Sequence, residues 1–426
     1  MEHHDHDHAG CEEYNELTRR NLLRGRTAFT AAAVAALPTV ALGRGRGRGS
    51  SRDTLISVFQ HGGMDGLTTV VPYGDGELYN LRPTLAIPPP GQTDGAVDLD
   101  GFFGLAPAAA PLLGAWQDGD LAFIHAAGSP DPTRSHFEST RLIQKATPNM
   151  PSSSLSSGWL GRHLQTISSL GVGDLRAVAH EYILPQLLAE GPGALAVNDP
   201  TNFIFPGDPL TASARRATIS AMYDTSPAPM GTATVSSLAA IDLLATVDFD
   251  GYIPANGAVY PATMFGMALR NFAVMIKADI DLEVGSVTFH GWDHHNLMGP
   301  LTGTLANMLD DFSRSLEAFH LDMKGDSHGY TLVTQSEFGR RAAENGSAGT
   351  DHGHGNVMFV MGPSVNGGQA YGTWPGLQAS QLDNGDLAVT TDYRDVMAEI
   401  LSVRLGNNQL PTVFPSYTPN FPGIVS

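Results

Sequence analysis

An α/β fold built on a mostly parallel sheet is the class this 426-residue chain predicts. Two observations carry that prediction. Short, nearly unbroken apolar runs alternate with longer stretches of helical periodicity, and most of the apolar runs end in a polar, glycine-rich turn. Strands buried on both faces read in this way, and sheets of this kind carry their sites at the carboxyl ends of the strands.

The first 43 residues stand outside that pattern. Thr18-Arg19-Arg20-Asn21-Leu22-Leu23-Arg24 is a twin-arginine motif, Thr27 to Leu42 is a modestly apolar, alanine-rich run, and Ala41-Leu42-Gly43 supplies small residues for cleavage. This reads as an export leader for the twin-arginine machinery, too short and too proline-interrupted for a stable membrane span. It predicts a periplasmic, cell-envelope or extracellular protein. The only cysteine, Cys11, lies inside the leader. Disulfides, thiolate metal sites and cysteine nucleophiles are therefore excluded from the remainder. Residues 44–52 form a basic Gly/Arg linker, and residues 53–426 are expected to form one domain.

The expected strands are Asp53 to Gln60, Asp120 to Ala126, Gly285 to His290, Tyr330 to Gln335 and Asn356 to Met361. Helical patterns cover Leu105 to Trp116, Ser135 to Lys145, Ala262 to Ala278, Pro300 to Met323 and Asp392 to Leu405. The stretch from about 148 to 261 is rich in Ser, Ala and Pro without clear alternation, and reads as an insertion or cap. A net charge of −19, with no basic stripe beyond the leader and linker, argues against a nucleic-acid partner.

Four polar loops gather carboxylates and imidazoles: His61-Gly62-Gly63-Met64-Asp65, Trp292-Asp293-His294-His295, Ser336-Glu337-Phe338-Gly339 and Thr350-Asp351-His352-Gly353-His354. Taken singly, each has an ordinary explanation. Asp65 and Asp351 suit turns, Asp293 suits a helix cap, and Glu337 suits a surface ion pair with a nearby arginine. Taken together, Asp65, Asp293, His295, Glu337, Asp351, His352 and His354 supply enough nitrogen and oxygen ligands for one or two divalent ions: zinc, manganese, calcium or magnesium. Two points stay open, namely whether His352 or His354 faces the ion and whether Asp351 binds it or orients a histidine.

A fifth segment, Ser129 to Glu138, follows the second strand. Ser135 with Glu138 is a capping-box pattern. The alternative makes the Ser135 or Thr133 hydroxyl a nucleophile at a helix N-terminus, with Arg134 clamping an anion and His136 acting as ligand or proton donor.

The stretches "HGGMDGLTTVVPYGD", "GSPDPTRSHFEST", "GWDHHN", "SEFGRRAAENGSAGTDHGHGNVMFVMG" and "DLAVTTDYRDVMAEIL" give the chain a resemblance to exported proteins of the domain-of-unknown-function family 1501, from about residue 53 to 406. That family is similar to a distant branch of the alkaline phosphatase and sulfatase superfamily. The resemblance implies a three-layer α/β/α sandwich and, in characterised relatives, two metals flanking a Ser, Thr or modified-Cys nucleophile. It places Asp65 as the strand-end aspartate and Asp293 and His295 on one metal. Glu337 stands where relatives carry an Asp-His pair, and the last ligand is His352 or His354. The function so implied is metal-dependent hydrolysis of a phosphate or sulfate ester, on a small anionic substrate or an envelope polymer. The alternative is a non-catalytic scaffold or binding protein retaining the fold.

Overall fold

The computed structural model describes residues 52–150, 154–171, 175–223, 226 and 230–426. The leader and all of the linker except Arg52 lie outside them. The first strands are β1 (Thr54–His61), β2 (Leu121–Gly128), β3 (Ala177–Ala179), β4 (Ala194–Ala196) and β5 (Val284–His290). They are followed by β6 (Tyr330–Gln335), β7 (Asn356–Met361), β8 (Ala370–Tyr371) and β9 (Thr391–Asp392). The order across the sheet is β8–β2–β7–β6–β1–β5–β3–β4, with β9 also paired to β2. All pairings are parallel except those of β7, which runs antiparallel to both β2 and β6.

Alternation within the strands explains the layers. In β1, Ile56 and Val58 enter one hydrophobic cluster while Leu55 and Phe59 enter the other. Both faces are thus covered, as an unbroken apolar run in a parallel strand requires. Each large side chain so buried contributes on the order of 1.5–3 kcal/mol.

The longer helices are α1 (His136–Lys145), α2 (Trp159–Thr166), α3 (Ala212–Tyr223), α4 (Met230–Leu244), α5 (Met264–Lys277), α6 (Thr304–Met323) and α7 (Tyr393–Glu399). One outer layer holds α5 and α6, and the other holds α1, α2 and α7. The expected helix at Leu105 to Trp116 begins instead as a 3-10 segment, Pro107–Leu112, because Pro111 inside it cannot donate an α-helical hydrogen bond. No helix of the described residues is long and apolar enough to cross a membrane.

Two findings alter the picture drawn from sequence. The stretch read as an insertion contributes β3 and β4 to the main sheet, beside β5. The antiparallel course of β7 also brings its first residue to the edge where β1, β2, β5 and β6 end. The Asp351–His354 loop therefore reaches the site by preceding a strand rather than following one.

Candidate metal centre

The loop after β1 passes against the loop after β5. Gly62, at φ +124, is needed there: a Cβ on it would lie 2.7 Å from the amide nitrogens of Trp292 and Asp293. Gly349 does the same for the fourth loop, where a Cβ would stand 2.3 Å from the His295 carbonyl carbon. These close approaches bring the loops after β1 and β5 and the loop before β7 to one place. The loop after β6 joins them through Glu337, whose Oε1 accepts the Gly62 amide at 2.8 Å.

Three imidazoles converge on one carboxylate there. The Nε2 atoms of His295, His352 and His136 lie 3.0, 3.2 and 3.5 Å from Asp293 Oδ1. In His136, Asp293 and His352, one candidate ligand atom from each lies within 4.8 Å of the others. The Nε2 atoms of His295 and His352 are 2.9 Å apart.

What the opposite ring nitrogens do decides the chemistry. His136 Nδ1–H donates to Glu337 Oε1 at 2.6 Å, and His295 Nδ1–H to Asp351 Oδ1 at 2.9 Å. His352 Nδ1–H donates to the Arg134 carbonyl at 2.8 Å. Each acceptor can only accept, so each Nδ1 carries a proton, and Nε2 is the nitrogen each ring turns to Asp293, protonated there without an ion and free to bind one when it is present. Such histidines, anchored through one nitrogen to an oxygen acceptor, are arranged as metal ligands are.

Two imidazole nitrogens facing each other at 2.9 Å need a proton or a metal ion between or beside them. Asp293 Oδ2 is also buried without a hydrogen-bond partner. The donor set, three imidazoles and a carboxylate, suits a divalent ion such as zinc. Three carboxylates, Asp293, Glu337 and Asp351, surround the centre against the single guanidinium of Arg340, which binds Asp293 Oδ1 at 2.7 Å.

Without an ion, protons meet that demand. Burial works to lower the His136 value, but hydrogen bonds to Asp293 and Glu337 outweigh it and hold the ring up at about 9. His295 is raised chiefly by its hydrogen bond to Asp293. Burial likewise opposes ionisation of Glu337, yet the charges of His61 and His136 with the His136 hydrogen bond hold it down at about 2. The sign for His136 is definite. Its folded value lies above the ordinary 6.5, so its contribution to stability is complete below 6.5 and is lost as pH rises through 9. Chelator-treated protein should accordingly unfold at lower urea concentration at pH 10 than at pH 7; an unchanged midpoint would contradict this.

The other expected site residues have different partners. Asp65 caps the single turn Gly66–Thr69, accepting from the Thr68 amide at 3.0 Å, and pairs with buried Arg82 at 2.8 Å. Arg82 outweighs burial at Asp65 and holds its carboxyl below the usual range. Both ring nitrogens of His354 are engaged away from the centre, Nδ1 with Asp383 Oδ2 at 2.9 Å and Nε2 with the Ser129 carbonyl at 2.8 Å. Glu337 and Asp351 stand behind His136 and His295.

Ser135 is the N-cap of α1, its Oγ accepting the Glu138 amide at 3.3 Å. Thr133 Oγ1 accepts the Ser135 amide at 3.4 Å. The Arg134 guanidinium is held by Asp386. Sequence reasoning gave no site role to Asp386, His61 or His290, and took Arg340 only as a surface ion-pair partner for Glu337. Arg340 also binds the carbonyls of Gly63 at 2.6 Å and Thr350 at 3.0 Å, tying the first and fourth loops together.

The fold and this cluster define an α/β protein with a histidine–carboxylate centre of metal-ligand type at the carboxyl edge of its sheet. The chain belongs to the family described as protein of unknown function DUF1501, whose model matches residues 95–409.

No curated protein matches it. Among solved structures it is similar to the C-terminal periplasmic domain of EcEptC from Escherichia coli in complex with Zn. That likeness has 12% identity and a TM-score of 0.31, covering 77% of each chain. A protein in the alkaline phosphatase superfamily from Vibrio parahaemolyticus is 11% identical at a TM-score of 0.35, with 83% of this chain and 70% of that one covered. A second structure of the EcEptC domain is 11% identical at 0.34, covering 90% and 92%. Likeness at these scores has no bearing on the chemistry, for which the chain's own geometry is the basis.

Proposed function

We propose that the protein is a metal-dependent hydrolase of phosphate or sulfate esters, with a divalent ion held by His136, His295, His352 and Asp293. The observation that carries this reading is the set of three imidazoles, each anchored through Nδ1 and each turning Nε2 to the same carboxylate. A divalent ion there supplies Lewis acidity and positive charge to an ester anion.

The chain's own groups do the rest. Glu337, Asp351 and the Arg134 carbonyl hold the rings in one tautomer, and Arg340 holds Asp293 in place. Ser135, immediately before His136 at the N-terminus of α1, is the candidate nucleophile, where the helix amides favour an anion. The leader read in residues 1–43 makes export part of the proposal.

A second reading, an exported metal-binding scaffold without turnover, has its own support. Ser135 Oγ is engaged as a helix cap, and the Arg134 guanidinium is occupied by Asp386.

Metal analysis of the full chain, read against a His136→Ala/His352→Ala double variant carrying the same His3–His8 tract, tests the metal. A difference of about one equivalent is expected, and less than about 0.2 would refute it. Turnover of aryl phosphates and sulfates by wild type and Ser135→Ala separates the two readings. Loss in the variant supports the nucleophile, equal rates remove Ser135 from the mechanism, and metal without turnover in wild type selects the scaffold.

A further inference from the structure

We infer that the turn Asp383-Asn384-Gly385-Asp386, remote from the cluster in sequence and touching none of its ligand atoms, is the positioning element that makes His352 a ligand. The inference rests on the metal-centre reading above. Asp383 and Asp386 exchange both backbone hydrogen bonds at 2.9 Å, and the two central residues have φ values of 51 and 91. That is the two-residue hairpin geometry which Asn-Gly favours, so the turn is locally rigid.

Its two aspartates clamp the segments that meet at the centre. Asp386, fully buried, accepts from Arg134 Nε at 2.9 Å and also from Nη2. The Arg134 carbonyl then accepts His352 Nδ1–H. Asp383 holds His354, which reaches across to the Ser129 carbonyl. The strand leaving the turn adds a backbone bond, Gly355 N–H to the Leu387 carbonyl at 2.8 Å.

The consequence is electronic as well as steric. An Arg134 carbonyl fixed at 2.8 Å keeps a proton on His352 Nδ1 and so leaves Nε2, beside Asp293, as the nitrogen for an ion. If Asp386 loses its charge, the buried anchor of Arg134 is lost, the 129–135 segment is freed, and either His352 nitrogen can carry the proton. Asp386 thus acts through Arg134 and His352 as a positioning residue.

The test uses the full chain with zinc as probe. Competition against a chromophoric chelator should show affinity reduced about 10–100-fold in Asp386→Asn, the usual cost of losing an outer partner of a metal ligand. Asp386→Glu should restore part of it. Arg134→Gln breaks the same link from its exposed end and should give a similar loss, which keeps the test decisive if Asp386→Asn fails to fold.

Imidazole nitrogen NMR of ion-free protein provides a readout that does not require metal. His352 Nδ1 should be protonated in one fixed hydrogen-bonded environment in wild type and should lose that single environment in the variants. Zinc affinity within about twofold of wild type in a folded variant, or an unchanged His352 Nδ1–H environment, overturns the inference. A wild type that binds no zinc at the centre defeats the metal reading, and the NMR measurement then decides this inference separately.

Discussion

Asp293→Ala should lower the affinity of the centre for zinc by more than about 100-fold, beyond what removing an outer partner achieves. The carboxylate is the point on which all three Nε2 atoms converge, and among the described residues it is the only anion in direct contact with them. Without it the Nε2 atoms keep a neighbouring guanidinium but no carboxylate in contact, and Glu337 and Asp351 lie on the far sides of the rings. The alanine variant also deprives buried Arg340 of its 2.7 Å partner, so some loss of stability accompanies the loss of metal.

Asp293→Asn separates the two effects. An amide oxygen still accepts from Arg340, so without metal the Asn variant should lose less thermal stability than the Ala variant while zinc affinity falls in both. Chelator competition and thermal unfolding, run in parallel on both variants, check this. An Asn variant that binds zinc like wild type would remove Asp293 from the ligand set.

The second large effect lies at Asp65. Arg82→Ala should destabilise the protein by about 3–5 kcal/mol, because it strands a buried carboxylate. Arg82 makes four contacts from a fully buried position: Asp65 Oδ1 at 2.8 Å, Thr68 Oγ1 at 2.9 Å, and the carbonyls of Ala342 at 2.9 Å and Arg341 at 2.8 Å. Burial alone would push the Asp65 carboxyl up, and Arg82 reverses this.

With the folded value depressed, the contribution of the pair is present above the ordinary carboxylate value and is lost as pH falls below it. In Arg82→Ala the shift should reverse, so the destabilisation at neutral pH should ease on acidification. Urea unfolding across that range measures it. A loss under about 1 kcal/mol would mean that the turn relaxes to hydrate Asp65. Zinc content is expected to survive at full occupancy in any folded fraction, since neither residue touches the centre.

These cases show where reading the chain succeeded and where it stopped. The five expected strands were legible because each is a continuous apolar run, and they match β1, β2, β5, β6 and β7 to within two residues at each end. The strands β3 and β4 were not legible. Two alanines around one valine or leucine carry no period that separates strand from loop, and only pairing, of β3 to β5 and of β4 to β3, makes them part of the sheet.

At the centre, Asp293, His295 and His352 were named among the ligands from residue type and spacing, and the structure brings them together. His136 was named for its neighbourhood to Ser135, with ligand and proton donor left open, and it stands in the same cluster. Asp65 and His354 have equally suitable chemistry but are engaged with Arg82, and with Asp383 and the Ser129 carbonyl.

Taken alone, the sequence determined the α/β class, the positions of the long strands, and the presence of enough imidazole and carboxylate for a metal. Those properties are local: apolar runs, turn glycines and side-chain donor types are all visible within a few residues. Only the tertiary structure decided that β7 runs antiparallel, that His352 rather than His354 faces Asp293, and that Asp351 stands behind His295. An imidazole becomes a ligand through the nitrogen its other hydrogen bond leaves free, and those bonds reach far along the chain. Glu337 is 201 residues from His136, Asp351 is 56 from His295, and Arg134 is 218 from His352.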